Sequence, residues 1–257
     1  MGRFDGVLLC SDFDGTLSYG EKHISSANLA AIEYFKANGG QFTLASGRPP
    51  AFFSELGELI RPNAPLMTLN GGIIADPDTY APLSVCSLDK GVYDLLLTEV
   101  FGNGITKSVH LWHGDGASEN WFASDAVNPC DFIKSATGVL YKAVLVQSRQ
   151  GAEYLRDRLR RLYAGKYLFE RSWHEGLEIL PPNGGKGAAL SAIKKHCRFP
   201  VEYTVGVGDF ENDVSLVRSA DLGIAVGNAL PCVKEAADRI SAPNTQDALA
   251  QIIYEML

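Results

Sequence analysis

The sequence predicts an α/β protein, with a core built on a parallel sheet and an α+β domain inserted into that core. Three observations lead to this prediction. Short apolar runs near both ends of the chain stop at polar loops that contain glycine, and strand and helix patterns alternate three times within the first 70 residues. The alternation stops near residue 77 and returns near residue 183, which indicates an insertion rather than two domains in tandem.

The N-terminal part consists of strand-then-helix units. Its first strand is the apolar run that begins at Val7 and stops just before the carboxylates of Asp12 and Asp14, because the run is short and bounded by turn residues. Ser25 or Ser26 caps a helix that continues to about Asn38. The following elements are a strand at 41–45, a helix from about 50 to 60 and a strand at 66–69. This alternation predicts a parallel sheet with right-handed crossovers.

The stretch from 77 to 182 has longer polar–apolar strands and more aromatic residues. The predicted elements are a helix at 88–101, strands at 106–112, 120–124 and 139–147, a charged helix at 153–163, and a hairpin of 167–173 with 177–180. They predict an inserted α+β domain over 77–182. Alternation then returns with a helix at 186–197, a strand at 203–207, a helix at 213–219, a strand at 222–226 and terminal helices. We therefore expect a discontinuous core of residues 1–76 and 183–257.

Composition argues against several classes of partner. The 257 residues carry a formal net charge of −7, which disfavours a nucleic-acid partner. No stretch approaches the ~20 apolar residues of a membrane span, and we expect neither a secretory leader nor an anchor. The five cysteines form no C-x-x-C pair, which favours reduced thiols in a cytoplasmic protein. The sequence does not determine the oligomeric state, with a monomer slightly favoured.

Polar side chains follow several of the predicted strands, at the point where each strand ends. The carboxyl ends of parallel strands meet at one edge of a sheet, so we expect these side chains to converge. A glycine-flanked lysine at the start of a helix is expected at the same edge. The residues are Asp12 and Asp14, Ser46, Asp209, Asn212 and Asp213, and the lysine is Lys186.

The charges of this group predict a divalent cation and a phosphate. Two carboxylates ~4 Å apart repel by about 4 kcal/mol at an effective dielectric of ~20, so Asp12, Asp209 and Asp213 need a cation, and oxygen ligands select Mg²⁺ or a close relative. Ser46 and Lys186 would then suit an anion with several acceptor oxygens. One carboxylate can act as nucleophile, while a second, crowded by anions, is expected to hold a proton and give it to the leaving oxygen.

Four motifs occur in a recognisable order, and they resemble those of the haloacid dehalogenase-like (HAD) phosphohydrolases. They are DFDGT, SGRP, GGKGAAL and GDFENDVSL. LNGG, LEILPPNGGKGAAL and AVGNALPCVKEAAD are similar to segments of the Cof-like subfamily, and the insertion resembles its type-IIB cap. The resemblance implies a Rossmann-like core with an inserted α+β cap domain that selects the substrate.

The resemblance also implies a role for individual residues. Asp12 would be the nucleophile of an aspartyl-phosphate mechanism and Asp14 the acid/base. The phosphate-binding residues would be Ser46, Gly47, Lys186 and Asn212. The metal ligands would be Asp12, the main-chain carbonyl of Asp14, Asp209 and Asp213. Arg48, Asn70 and His174 are candidate substrate contacts, with structural roles as the alternative for each.

The function expected from these residues is a Mg²⁺-dependent phosphatase that acts on a small phosphorylated metabolite. A sugar phosphate is what the family resemblance implies, and the residues themselves do not name the substrate. A phosphomutase on the same scaffold is the nearest alternative, and the appearance of free phosphate would distinguish the two. A non-catalytic phosphate-binding protein is a third interpretation, although binding alone needs no nucleophile and acid/base pair.

Overall fold

The structure is a computed structural model that describes residues 2–20, 22–57, 59–114 and 128–257, and only the backbone of 118–123. The chain forms two compact units. One consists of Met1–Ser84 with Gly185–Leu257, and the other of Val85–Gly184. Ser124, the last residue of the strand predicted at 120–124, lies outside the described residues.

The strands and helices are short, and most lie near their predicted positions. The strands are β1 (Val7–Asp12), β2 (Gln41–Ala45), β3 (Leu66–Thr68), β4 (Ile73–Ala75), β5 (Pro82–Val85), β6 (Ser108–Gly114), β7 (Ser118–Ala123), β8 (Val139–Val146), β9 (Leu168–Trp173), β10 (Gly176–Leu180), β11 (Tyr203–Gly208), β12 (Leu222–Ala225) and β13 (Arg239–Ile240). The helices are α1 (Ser26–Ala37), α2 (Pro50–Leu56), α3 (Val92–Leu95, with a π-helical continuation to Val100), α4 (Pro129–Ser135), α5 (Arg149–Leu162), α6 (Gly185–Ile193), α7 (Val214–Ser219), α8 (Pro231–Ala236) and α9 (Ala248–Gln251, continued to Met256).

In the described part of the chain, the first unit is built on an eight-stranded sheet in the order β13-β12-β11-β1-β2-β3-β4-β5. The strands from β13 to β3 run parallel, and β4 returns antiparallel to β3. β1 is central and buried from Leu8 to Asp12, as expected for a strand covered on both faces. Asp12 lies opposite Ala45 of β2, so the carboxyl ends of these neighbouring strands meet at one edge. The predicted α/β fold class is confirmed.

The structure differs from the prediction at several elements. The residues after β3 form the hairpin of β4 and β5, which extends the sheet of the first unit beyond residue 76. Strands of three or four residues are too short to show the alternation that predicts a strand. α2 ends at Leu56 rather than near residue 60, and α4 was not predicted. The signals for α4 were local, because the Asn128 side chain accepts the Cys130 N–H and Pro129 occupies the first turn.

The second unit contains an antiparallel sheet in the order β7-β6-β8-β10-β9. One face of this sheet packs against α3, α4 and α5 around its own apolar cluster, which includes Leu95, Leu111, Phe132, Leu159 and Ile179. β6 alternates between half-buried and buried side chains, as a strand with one covered face does. Among the described residues of both units, every helix is too short or too polar to cross a bilayer.

Candidate active site

A buried lysine joins two aspartates at the carboxyl edge of the first unit's sheet. Asp12 ends β1, and Lys186 is the second residue of α6. Lys186 Nζ lies 2.6 Å from Asp12 Oδ1 and 2.5 Å from Asp213 Oδ1. The lysine side chain is 0% exposed and the two carboxylates are also buried. Each contact is therefore a charge-assisted hydrogen bond shielded from water.

The loop after β11 carries two carboxylates, Asp209 and Asp213, and hydrogen bonds hold both in place. Asp213 Oδ2 accepts the backbone N–H groups of Asp209 (3.0 Å) and Phe210 (3.1 Å), which closes the loop around its own side chain. Asp209 Oδ1 accepts the hydroxyl of Thr16 at 2.9 Å. The loops after β1 and β11 are thus joined through the carboxylate of Asp209.

Burial controls the protonation of this cluster. Burial, together with Asp213, raises the pKa of Asp12 well above its usual value, while Lys186 opposes the shift. Burial and Asp213 also raise the pKa of Asp209 to about 7, although the hydrogen bond from Thr16 lowers it. For Lys186, burial lowers the pKa but the two bonded aspartates raise it by more, so the ammonium stays charged.

The donor set fits a hard divalent cation. One oxygen from each of Asp12, Asp209 and Asp213 lies within 4.8 Å of the others. Three ionised carboxylates and the ammonium of Lys186 leave two negative charges in a largely buried site, and a divalent cation would neutralise them. The buried Oδ1 of Asn212, in the same loop, has no hydrogen-bond partner among the described residues and is a further oxygen donor. An all-oxygen set favours Mg²⁺, Mn²⁺ or Ca²⁺ over zinc.

The side chain of Asp14 lies outside this acidic cluster. Arg48 Nε donates to Asp14 Oδ2 and Arg48 Nη2 donates to Asp14 Oδ1, both at 3.0 Å, and both side chains are half-exposed. The Arg48 guanidinium also lies 4.8 Å from the centre of the Phe52 ring. The sequence suggested that anions surround Asp14, whereas the structure pairs it with a cation, because the loop after β2 carries Arg48 to this carboxylate.

The remaining core residues lie in neighbouring loops. Ser46 is buried directly after β2, and its Oγ accepts the Arg48 N–H at 3.1 Å; Gly47, half-buried, lies between them. Asn70 follows β3, and its Oδ1 accepts Asn212 Nδ2 at 3.2 Å. The loops after β2, β3 and β11 therefore each place a predicted site residue at this edge.

His174 belongs to the second unit. It lies in the turn between β9 and β10 and is half-buried. It is thus in a different compact unit from the acidic cluster, and its role as a substrate contact stays a prediction.

Two residues of the site, Thr16 and Asn228, were not predicted from the sequence. Asn228 Nδ2 donates to the Gly15 carbonyl at 2.8 Å. Gly15 has a φ of +87°, and a Cβ there would lie 2.6 Å from Asp209 Oδ2. Asn228 follows β12 just as the other polar residues follow their strands. Its position in the sequence was therefore a signal that could have identified it.

Comparisons with known proteins agree with this geometry. Residues 9–253 match the family model described as haloacid dehalogenase-like hydrolase. A 5-amino-6-(5-phospho-D-ribitylamino)uracil phosphatase of Bacillus subtilis is 25% identical over 264 residues, 96% of each chain. A haloacid dehalogenase-like hydrolase from Bacteroides thetaiotaomicron has a TM-score of 0.77 at 25% identity, over 99% of this chain and 100% of that one. A HAD subclass IIB sugar phosphatase shares the fold with a TM-score of 0.76 at 19% identity, over 97% of this chain and 98% of that one.

The resemblance inferred from the four motifs is confirmed, and with it the expectation of an enzyme. The matched region begins at Leu9, within β1, and ends at Ile253, so it includes every residue of the acidic cluster and the whole inserted unit. The chain belongs to the haloacid dehalogenase-like hydrolase family.

Proposed function

We propose that this chain is a Mg²⁺-dependent phosphatase that hydrolyses a small phosphate monoester through an aspartyl-phosphate on Asp12. The observation that carries the proposal is the buried Lys186 ammonium bonded to both Asp12 and Asp213, with Asp209 completing the acidic group. This arrangement supplies a nucleophile, a fixed cation and an oxygen donor set for a metal within one small volume. A site that only binds phosphate would need no nucleophile with an acid/base residue beside it.

In the first step, a carboxylate oxygen of Asp12 attacks phosphorus, and a new Asp12–O–P bond forms as the bond to the leaving oxygen breaks. Asp14, in its protonated form, gives its proton to that oxygen. Both oxygens of Asp14 accept hydrogen bonds from Arg48, which holds this carboxyl group in place at the edge of the site. Lys186 keeps Asp12 oriented and contributes positive charge beside the phosphoryl oxygens.

In the second step, Asp14 takes a proton from water while the water oxygen bonds to phosphorus. The bond between phosphorus and Asp12 breaks, which releases orthophosphate and restores both carboxyl groups. Asp12, Asp209 and Asp213 are the residues that would hold Mg²⁺, with the main-chain carbonyl of Asp14 implied by the family resemblance. The chemistry expected of the metal is neutralisation of carboxylate and phosphoryl charge, which removes the repulsion between the nucleophile and its target.

The substrate class rests on the relatives and on the inserted unit. The Bacillus relative is named for a phosphorylated ribityl compound, and the subclass IIB neighbour for sugar phosphates. We assign the substrate-specificity role to the inserted unit, Val85–Gly184, with His174 as a candidate contact. The five cysteines form no C-x-x-C pair, which supports the proposed cytoplasmic location.

The test is a panel of sugar phosphates and para-nitrophenyl phosphate, assayed with Mg²⁺ and with a chelator. We expect hydrolysis that requires the metal, and Asp12→Asn should abolish it while the exposed Asp157→Asn control retains it. Orthophosphate should appear in proportion to substrate consumed, since a mutase would return the phosphoryl group to substrate. Full activity of Asp12→Asn, or activity that the chelator leaves intact, would refute the proposal.

A further inference from the structure

Three consecutive residues after β3 form a left-handed turn. The φ angles are +51° at Leu69, +55° at Asn70 and +87° at Gly71. Glycine adopts this region freely and asparagine tolerates it, but a buried leucine does so at a cost in free energy. A strained segment of this kind persists only where the surrounding structure holds it in place.

The contacts of the turn with the loop after β2 are made by backbone. The Leu69 N–H donates to the Arg48 carbonyl at 3.0 Å, and the Asn70 N–H donates to the Ser46 carbonyl at 2.9 Å. These bonds depend on the left-handed conformation, because it turns two successive N–H groups toward the same loop. The turn therefore fixes the loop that carries the predicted phosphate-binding residue Ser46.

The same turn contacts two other parts of the site. Asn70 Oδ1 accepts the side-chain amide of Asn212 at 3.2 Å, and both side chains are buried. Gly71 packs so closely against the start of α6 that a Cβ would lie 2.7 Å from the carbonyl of Gly185, the residue before Lys186. Thus one short segment touches the loop after β2, the loop after β11 and the helix that supplies the lysine.

We propose that Asn70 is a positioning residue that acts on the phosphoryl-binding groups through Asn212, rather than a substrate contact. This inference rests on the proposed function and deepens it. The Asn70 side chain is 0% exposed and its Oδ1 already accepts a bond from Asn212. The bond orients the Asn212 amide, whose own Oδ1 has no partner among the described residues.

The experiment is a double-mutant cycle on Asn70 and Asn212. Asn70→Gly removes the amide but keeps a residue that adopts positive φ, so the backbone bonds to the loop after β2 remain. We expect it to weaken orthophosphate binding, measured by calorimetry with Mg²⁺, by about tenfold, the effect of one buried hydrogen bond. Asn212→Ala should weaken it similarly, and Asn70→Gly should add little in the Asn212→Ala background.

Two comparisons separate positioning from the alternatives. A positioning residue should lower kcat/KM by the same factor for para-nitrophenyl phosphate and for a sugar phosphate, because it does not touch the leaving group. Asp247→Gly is the matched control, since Asp247 is another non-glycine residue with positive φ (+55°) and is exposed outside the site. It should leave both orthophosphate binding and kcat/KM unchanged.

The positioning role would be overturned if Asn70→Gly bound orthophosphate as tightly as the wild type, or if the effects of Asn70→Gly and Asn212→Ala were fully additive. It would also be overturned if kcat/KM fell for only one of the two esters. A wild type that hydrolyses no ester would refute the proposed function, while the calorimetric cycle would still test Asn70. Failure of the wild type to bind orthophosphate at all would overturn both.

Discussion

At the scale of single residues, the site depends on one cation buried among carboxylates. The sequence separation between Lys186 and Asp12 is 174 residues, yet Nζ and Oδ1 are 2.6 Å apart. Burying a charge is tolerated only when partners compensate it, and Lys186 has two. The lysine therefore holds Asp12, the proposed nucleophile, in place and compensates the charge of the two buried carboxylates.

Replacement of Lys186 by methionine should destabilise the protein strongly. The substitution keeps the side-chain size but leaves the buried carboxylates of Asp12 and Asp213 without their cation, so we expect a loss of about 3–5 kcal/mol in the free energy of unfolding at pH 7 without metal. The loss should be smaller at pH 5, because the pKa values of Asp12 and Asp209 are raised and these groups can take up protons. Urea denaturation at both pH values measures this, with the exposed Lys195→Met as control. Equal stability of Lys186→Met and wild type at pH 7 would contradict it.

The raised pKa of Asp209 predicts how stability and metal binding depend on pH. Its folded-state pKa of about 7 exceeds the usual 3.8, so the folded state binds the proton more tightly than the unfolded chain does. Its stabilising contribution is complete below pH ~4 and is lost as pH rises through about 7. Mg²⁺ needs the carboxylate, so its affinity should be about tenfold lower at pH 6 than at pH 8.

Calorimetric titration of Mg²⁺ between pH 6 and pH 8 checks the prediction, and the Thr16→Val variant provides a second test. Removing the hydroxyl that donates to Asp209 should move the midpoint of the pH dependence upward by about one unit. A Mg²⁺ affinity that does not change between pH 6 and pH 8 would show that Asp209 is not a ligand or does not titrate there.

At the scale of elements, the loops at the carboxyl ends of the strands position the site, and the loop after β1 approaches the loop after β11 closely. Gly15 combines a φ of +87° with a close approach to Asp209, and Asn228 holds its carbonyl. This loop therefore has two requirements at one residue: a left-handed backbone and the absence of a side chain. The short hairpin of β4 and β5 matters less for the chemistry, since it only extends the edge of the sheet.

Gly15→Ala should displace the Asp209 carboxylate, because its Cβ would lie 2.6 Å from Oδ2. We expect Mg²⁺ affinity to fall by about 10- to 100-fold, as it does when groups that orient metal ligands are lost. Gly20→Ala is a matched control, since Gly20 also has positive φ (+59°) but a Cβ there would meet no described atom within 4 Å. Both substitutions should lower the free energy of unfolding by about 1–2 kcal/mol, because alanine is strained at a positive φ. Only Gly15→Ala should also lose Mg²⁺ affinity in calorimetry. Equal Mg²⁺ affinities of the two variants would refute this.

At the scale of the whole molecule, the two units are organised differently along the chain. Val85–Gly184 is continuous and has its own apolar cluster, with strands paired antiparallel. In the other unit, β1 pairs with β11, so its central strands come from segments on either side of the insertion. A continuous unit with its own core has the features of an independently folding domain.

Residues 85–184 expressed alone should therefore fold cooperatively. We expect a sigmoidal thermal transition by circular dichroism and dispersed amide resonances by NMR. Residues 1–84 alone are the control and should not fold, because β1 lacks β11 and the sheet lacks α6. A non-cooperative transition for 85–184 would contradict the prediction.

The sequence predicted which strands end in chemically active loops, because buried strands appear as short apolar runs and their ends as polar residues beside glycine. That was enough for the core fold, for Asp12, Lys186 and Asp209 as candidates, and for the family. It did not predict β4 or β5, because strands of three or four residues show too little alternation. It did not predict α4, whose signals are the local cap at Asn128 and Pro129. Thr16 and Asn228 were missed because a hydroxyl or an amide near a glycine usually caps a turn.

Only the tertiary structure decided which charges are partners. By sequence, Asp12 and Asp14 form a pair, two residues apart. In the folded chain Asp12 is bonded to Lys186, whereas Asp14 is bonded to Arg48 and exposed. The physical reason is that side-chain partners are set by distances between loops that lie far apart in the chain, and those distances follow from the register of β1 with β2 and β11.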